Sequence, residues 1–243
     1  AHTELTVEEA CNMFEASPAT IRRDFNQISD EGKAIKTWGG LMRNTQQDKT
    51  SGAMLPLSYR KESHTEEKKR IAEAAAKLVE DGQVIFIDGG TTTLQMAEHL
   101  ANKHIRVITN SIIVAFEIDR VKTSKQGAEV FVTGGFLYPD SGLLVGPQTN
   151  ALLTQYHADI AFISAGALDS QGIYNSNQWV VESELVMMQQ STKTILLVDN
   201  SKFGKKHMCK MSDFDAIHQI ITGTEAKLWE LSIPNSNLEW IFA

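Results

Sequence analysis

Cysteine is nearly absent from this sequence. Cys11 and Cys209 are the only two among 243 residues, and they lie far apart without metal-ligand spacing. A disulfide framework and a cysteine-built metal centre are therefore excluded, and the pair reads as reduced thiols of a cytoplasmic protein. No apolar stretch is long and uncharged enough to cross a bilayer. Ala1 to Glu9 is polar and does not read as a secretory signal. Because the chain opens on Ala rather than Met, a fragment or a processed chain is expected. Positive charge is in deficit: 23 Lys and Arg against 30 Asp and Glu leave a formal net charge of −7. Any nucleic-acid-binding part must then work through local charge and shape, not bulk attraction. What is present is an ordinary soluble composition, with length for a full core in one or two domains.

The most informative stretch is Val84-Ile85-Phe86-Ile87-Asp88-Gly89-Gly90-Thr91-Thr92-Thr93. An apolar run ends in an acid, two glycines and three hydroxyls, and a helical pattern follows at once. This predicts a strand, a tight turn and a helix start. Two residues without Cβ let a ligand approach the backbone. The first N–H groups of a helix lack intrahelical partners, and threonine hydroxyls add donors. Such a loop suits a phosphate or another oxyanion. An ordinary strand-to-helix turn capped by Thr91 is the equal alternative on these residues alone.

Residues 5 to 44 have their own logic. Thr6 is a helix cap before Val7, Ala10, Cys11 and Phe14, with Glu8 and Glu9 in the first turn. After a break at Glu15-Ala16, Ser17 caps a second helix and Pro18 takes its first position. Ile21, Phe25 and Ile28 recur at helical spacing and face a core, leaving Thr20, Arg22, Arg23 and Asn26 outside. Gly32 ends the helix. Lys33 to Lys36 alternates like a short strand, Gly39-Gly40 turns, and Leu41-Met42-Arg43 returns. Helix, turn, helix and hairpin form the pattern of a winged helix-turn-helix.

Asn44 to Pro56 is polar and aperiodic and reads as a linker. The expected division is a DNA-binding unit over 1–43, a linker over 44–56 and a larger domain over 57–243. From Leu57 onward, helical and strand patterns alternate. Helices are expected from Thr65, over Leu94 to Leu100, over Ile112 to Ile118, from Pro147 and over Val180 to Gln190. Strands are expected over Ile105 to Thr109, Val130 to Thr133, Asp159 to Ser164, Thr194 to Asp199 and Ile217 to Thr222. This predicts an α/β domain with a mostly parallel sheet and helices on both faces. Ligands of such sheets bind beyond the carboxyl ends of the strands. The residues there are Asp88 to Thr93, Asn110-Ser111, Gly134-Gly135, Ala165-Gly166 and Asp199-Asn200-Ser201-Lys202-Phe203-Gly204. A hydroxyl-rich loop plus the point charge of Lys202 suits a phosphorylated ligand, and Asp88, Asn110 and Glu182 are candidates to hold sugar hydroxyls. A surface lysine after a strand is the bland alternative for Lys202.

Two sets of residues carry a family resemblance. Ser17-Pro18-Ala19-Thr20-Ile21-Arg22-Arg23-Asp24-Phe25-Asn26-Gln27-Ile28, with Gly32 and Gly39-Gly40, resembles the DNA-binding signature of the DeoR family of bacterial transcriptional regulators. Asp88-Gly89-Gly90-Thr91-Thr92, Thr109-Asn110-Ser111, Thr133-Gly134-Gly135 and Asp199 to Gly204 resemble that family's sensing domain. The resemblance runs from Leu5 to about Gly223. It implies a recognition helix in the major groove of operator DNA, with Ser17, Thr20, Arg22 and Arg23 at bases and backbone. Lys33, Lys36 and Arg43 on the wing would meet phosphates. It further implies a sensing domain similar to ribose-phosphate isomerase that binds a phosphorylated sugar, and a homo-oligomer as the working unit. The effector-binding residues it points to are Asp88, Gly89, Gly90, Thr91, Thr92, Thr93, Asn110, Ser111, Gly134, Gly135, Glu182 and Lys202, with no cofactor and no metal. The family has a further helix before this motif, which this sequence is expected to lack. Trp38 stands where the family has His, and Glu184 and Leu185 stand where more basic residues are expected.

A sugar-phosphate isomerase is the competing class. Similar isomerases carry an Asp-Gly-Ala-Asp string and a lysine in a glycine-rich loop. Here the corresponding residues read Ser164-Ala165-Gly166-Ala167-Leu168-Asp169, without that lysine. A binding module is favoured over an enzyme, and both over a bare oligomerisation domain.

Overall fold

The structure is a computed structural model that describes residues 4–30, 34–37, 39–43, 60, 63–233 and 237–243. The chain divides into two compact units, residues 1–51 and 52–243. The expected linker over 44–56, together with Lys33 and Trp38, lies outside the described residues.

In the first unit a short strand β1 (Glu4–Thr6) leads into α1 (Val7–Phe14), α2 (Pro18–Asp30), β2 (Ala34–Lys36) and β3 (Gly40–Arg43). Thr6 and Glu9 close a capping box: Thr6 Oγ1 accepts from Glu9 N at 3.2 Å, and Thr6 N donates to the Glu9 carboxylate at 2.8 Å. The chain leaves α1 through Glu15, whose φ of 49° is left-handed. Ser17 Oγ then accepts from Thr20 N at 3.2 Å, so the second cap is the expected one. Ala10, Ile21 and Phe25 form a small core, with Leu5, Val7, Cys11 and Leu41 against it. The wing has three strands, in the order β1-β3-β2, all antiparallel. β1 was not anticipated, because three residues are too few to show a period.

The second unit is built on α3 (Thr65–Ala76), β4 (Val84–Ile87), α4 (Ala97–Leu100), β5 (Arg106–Thr109), α5 (Ile112–Val121), β6 (Glu129–Val132), β7 (Phe136–Tyr138), β8 (Leu143–Val145), α6 (Pro147–Leu153) and β9 (Ala158–Ser164). It continues with β10 (Ala167–Asp169), β11 (Gly172–Asn175), α7 (Gln178–Gln189), β12 (Ser191–Leu197), β13 (Cys209–Ser212), β14 (Gln219–Thr222), α8 (Lys227–Glu230) and β15 (Glu239–Phe242). Seven strands form one sheet in the order β15-β14-β12-β9-β4-β5-β6, and every neighbouring pair is parallel.

Both faces of that sheet are covered, which explains why its strands read as unbroken apolar runs. Successive residues of a strand point to opposite faces. Ile85 and Ile87 of β4 accordingly enter one core cluster, shared with Ile71, Ala72 and Ala75 of α3. Phe86 enters the other, with Ile163 and Leu196. Each such side chain, fully buried, stabilises the fold by roughly 1.5–3 kcal/mol. The chain winds outward from β4 through β5 to β6, then returns to β9 and winds the other way. The order therefore reverses between β4 and β9, which is where a parallel sheet opens a crevice.

The hairpin β7–β8 and the three-stranded sheet β10-β11-β13 were not legible in sequence. Their strands are three or four residues long, so neither alternation nor an apolar run can stand out. Nor was the last strand, β15, anticipated. No helix among the described residues is long and apolar enough to cross a membrane.

Candidate functional site

The crevice at the reversal point is defined by Asp88 and Ser164, which follow β4 and close β9. Asp88 Oδ2 accepts from Ser164 Oγ at 2.7 Å and from Ser164 N at 3.2 Å, while Oδ1 accepts from Gly89 N at 2.6 Å. Burial raises the Asp88 pKa, and these hydrogen bonds oppose that rise. In the next turn Thr93 Oγ1 accepts from Gly90 N at 2.8 Å and donates to Asp88 O at 2.6 Å. The loop is thus held by its own side chains in a fixed shape. Gly90 is required there, since a Cβ would stand 2.2 Å from Ser164 Oγ.

The helix expected over Leu94 to Leu100 is there as a 3-10 turn over Thr93–Met96 that runs into α4, which has only four residues. The collective field of a helix N-terminus is correspondingly weak, because it needs several aligned peptide dipoles. Any anion bound here must rely on side-chain cations instead.

Those cations are present, and sequence reading had found only one of them. Lys202 closes a 3-10 turn over Asn200–Lys202 that Asp199 caps, with Asp199 Oδ1 accepting from Ser201 N at 3.0 Å and from Ser201 Oγ. Lys68, on the inward face of α3, has a side chain only 2 % exposed. Its ammonium donates to Arg60 O and Ser63 O, both at 2.5 Å, and lies 4.0 Å from Asp199 Oδ2. Burial pulls the Lys68 pKa down to about 8; Asp199 opposes this, and Lys202 and Arg60 add to it. Burial likewise lowers Lys202, with Asp199 opposing and Arg60 adding to the fall. Arg60 is lowered by burial and held up by Asp88. Burial alone would raise Asp199, but Lys202, the Ser201 hydrogen bond and Lys68 outweigh it and hold the carboxyl down. The three cations are thus close enough to repel one another, with Asp88 acting on Arg60 and Asp199 on the two lysines.

The other expected residues divide. Asn110 and Ser111 stand at the end of β5, beside β4. Asn110 Nδ2 donates to Leu144 O at 3.2 Å, and Ser111 Oγ caps α5 by accepting from Val114 N at 3.2 Å. Gly134 and Gly135 follow β6 at the sheet edge, are exposed, and are not brought to the reversal point; Gly134 O accepts from Thr149 Oγ1 at 2.6 Å. Glu182 lies on the outer part of α7 and accepts from Gln178 Nε2 at 3.1 Å. Its neighbour Glu184 is the acid that turns inward. Periodicity could have found Lys68, since 68, 71, 72 and 75 share one helix face. Nothing in the spacing marked Arg60.

The crevice is closed over. Asp88, Thr93 and Asn110 are at most 2 % exposed. The β7–β8 hairpin forms the cover: Leu144 N donates to Asn110 O at 2.7 Å and Ile112 N to Gly142 O at 3.0 Å.

In the first unit, α2 leaves Ser17, Arg22 and Arg23 exposed and Thr20 half-buried, all on a helix whose other face holds Ile21 and Phe25. Lys36 is exposed on β2, and Arg43 ends β3. A cavity of about 430 Å³ beside α2 is lined by residues including Thr6, Asn12, Pro18 and Arg22.

Comparison with known proteins bears on both units. Residues 1–47 match the DeoR-like helix-turn-helix domain, and residues 63–224 match the DeoR C terminal sensor domain. The HTH-type transcriptional regulator IolR of Bacillus subtilis is 31 % identical over 91 % of this chain and 86 % of its own. The glycerol-3-phosphate regulon repressor of Escherichia coli is 29 % identical over 90 % and 84 %. A solved ribose 5-phosphate isomerase from Methanocaldococcus jannaschii aligns over 58 % of this chain and 55 % of that one, with 20 % identity and a TM-score of 0.42. With a winged helix-turn-helix ahead of a parallel-sheet sensor, and both halves matched, this chain belongs to the DeoR family of transcriptional regulators.

Proposed function

We propose that the protein represses carbohydrate-metabolism genes and is released from DNA by a phosphorylated sugar. The observation that carries the sensing half is the crowding of Arg60, Lys68 and Lys202 beside the Asp88–Thr93 loop. Arg60, Lys68 and Lys202 repel one another, and a phosphate placed among them would relieve that repulsion. The threonine hydroxyls of the loop would add donors. A curated relative named for the glycerol-3-phosphate regulon agrees with a phosphate ester as the signal.

The operator-binding half rests on α2. Its exposed arginines would meet bases and phosphates, with Lys33, Lys36 and Arg43 on the wing at the backbone. A cytoplasmic homo-oligomer would set two such helices in successive half-sites. Effector binding lowers DNA affinity by the ratio of its affinities for the two states. An isomerase is disfavoured because similar isomerases carry an Asp-Gly-Ala-Asp string and a loop lysine, where this chain reads Ser164-Ala165-Gly166-Ala167-Leu168-Asp169 without that lysine.

The test pairs stability with DNA binding. Glucose 6-phosphate and related phosphosugars should raise the melting temperature, and the unphosphorylated sugars should not. Lys202→Ala should abolish that rise and the release from DNA while leaving operator binding intact. An undiminished response in Lys202→Ala would place the phosphate elsewhere, and turnover of the ligand would return the protein to the enzymes.

A further inference from the structure

Glu184 has a role that the phosphate site leaves unused. It is 1 % exposed on α7. Its Oε1 accepts from Asn175 Nδ2 at 2.7 Å. Asn175 is fixed in turn: its Oδ1 accepts from Ser176 N at 2.9 Å and lies 3.1 Å from where a Cβ on Gly166 would stand. The carboxyl therefore sits beside the turn that follows β9, at the crevice. Its second oxygen, Oε2, has no hydrogen-bond partner, and among the described residues no Lys, Arg or His pairs with it. Burial, and then the like charge of Asp88, raise the Glu184 pKa well above its ordinary value. Asn110 Oδ1, at the neighbouring strand end, is a second buried acceptor without a donor. A buried acceptor left unmatched is costly and is seldom tolerated without a use.

We propose that the end of the effector remote from the phosphate carries a primary ammonium group, received by Glu184 Oε2, so that the ligand is a phosphorylated amino sugar. This rests on the phosphosugar reading above and narrows it. A hydroxyl could fill one lone pair but would bring no charge to a buried carboxyl that no cation pairs with among the described residues. An ammonium brings three donors and a charge that favours the ionised form of Glu184. The site then has cations for the anionic end of the ligand and acids for the cationic end.

The experiment titrates the full chain with paired compounds that differ only in amine against hydroxyl. The pairs are glucosamine 6-phosphate with glucose 6-phosphate and galactosamine 6-phosphate with galactose 6-phosphate, with the N-acetylated forms as controls. The amine should win by roughly 10- to 100-fold, the range for a buried charge-assisted hydrogen bond. N-acetylation, which removes the charge, should erase the advantage. Glu184→Gln keeps the shape and the Asn175 contact, so it should fold, bind neutral phosphosugars as before and lose the preference. Neutral sugars binding as tightly as their amines, or a preference that survives Glu184→Gln, would overturn this inference and leave the phosphate site standing. Failure of every phosphorylated compound to bind would remove the phosphosugar reading itself.

Discussion

Leu143 fills the space that a side chain on Gly89 would need: its Cδ2 lies 1.9 Å from where a Cβ there would be placed. The hairpin cover and the Asp88–Thr93 loop are therefore in direct contact, and the proposed effector, seated on Gly89, would compete with Leu143 for the same volume. Leu143→Ala should lower stability by roughly 2–5 kcal/mol, as for other buried leucines. It should also tighten the apparent affinity for phosphosugar, because a larger fraction of molecules is then open. Urea unfolding and a binding titration on the same variant check both. An unchanged affinity would mean that the ligand enters without moving the hairpin.

Lys68 supplies a pH signature. Its folded-state pKa, about 8, lies below the ordinary value of 10.5. Between those values the unfolded chain holds a proton that the folded chain has lost, so this group makes stability rise with pH across that window. Below pH 8 both states are protonated and the burial cost is fully felt. Unfolding free energies measured from pH 7.5 to 10 should climb more steeply in the wild type than in Lys68→Met. Parallel curves would show that Lys68 keeps an ordinary pKa.

Arg22 and Arg23 are the exposed cations of α2. Arg23 has an intramolecular neighbour, Asp24, at 3.8 Å, but both groups are well exposed and the pair is worth little. Replacing both arginines by Ala should remove specific retention of the DNA upstream of the gene in a gel shift. If both meet phosphates, the slope of log affinity against log salt should also fall by about 2. Retained specific binding would point to another surface.

Gly40 tests the unanticipated strand. A Cβ there would lie 2.3 Å from Leu5 O and 2.8 Å from Thr6 Cα, both backbone atoms that cannot step aside. Gly40→Ala should break the β1–β3 pairing and weaken DNA binding at least tenfold. The melting response to phosphosugar should persist, since it belongs to the other unit. A variant that binds DNA normally would show that β1 is dispensable to the wing.

Sequence alone determined the family and the helices and strands of the main parallel sheet up to β14, but not the short strands β1, β7, β8, β10, β11 and β13 or the last strand, β15. The strand β4 and its loop were legible because a strand buried on both faces must be continuously apolar, and because a tight turn favours residues without Cβ. The caps at Thr6 and Ser17 were legible because a cap bonds to a residue three positions away. Tertiary structure alone decided which groups meet at the site. Asp88 and Ser164 are 76 positions apart, and only the return of the chain from β6 to β9 joins them. Lys68 reaches Asp199 across more than half the chain for the same reason. Glu182 and Glu184 are chemically identical and two residues apart, hence about 200° apart around a helix, so only one can face the crevice. No local rule says which, because that is set by how the whole helix rotates to bury Val181, Met187 and Met188 against the sheet.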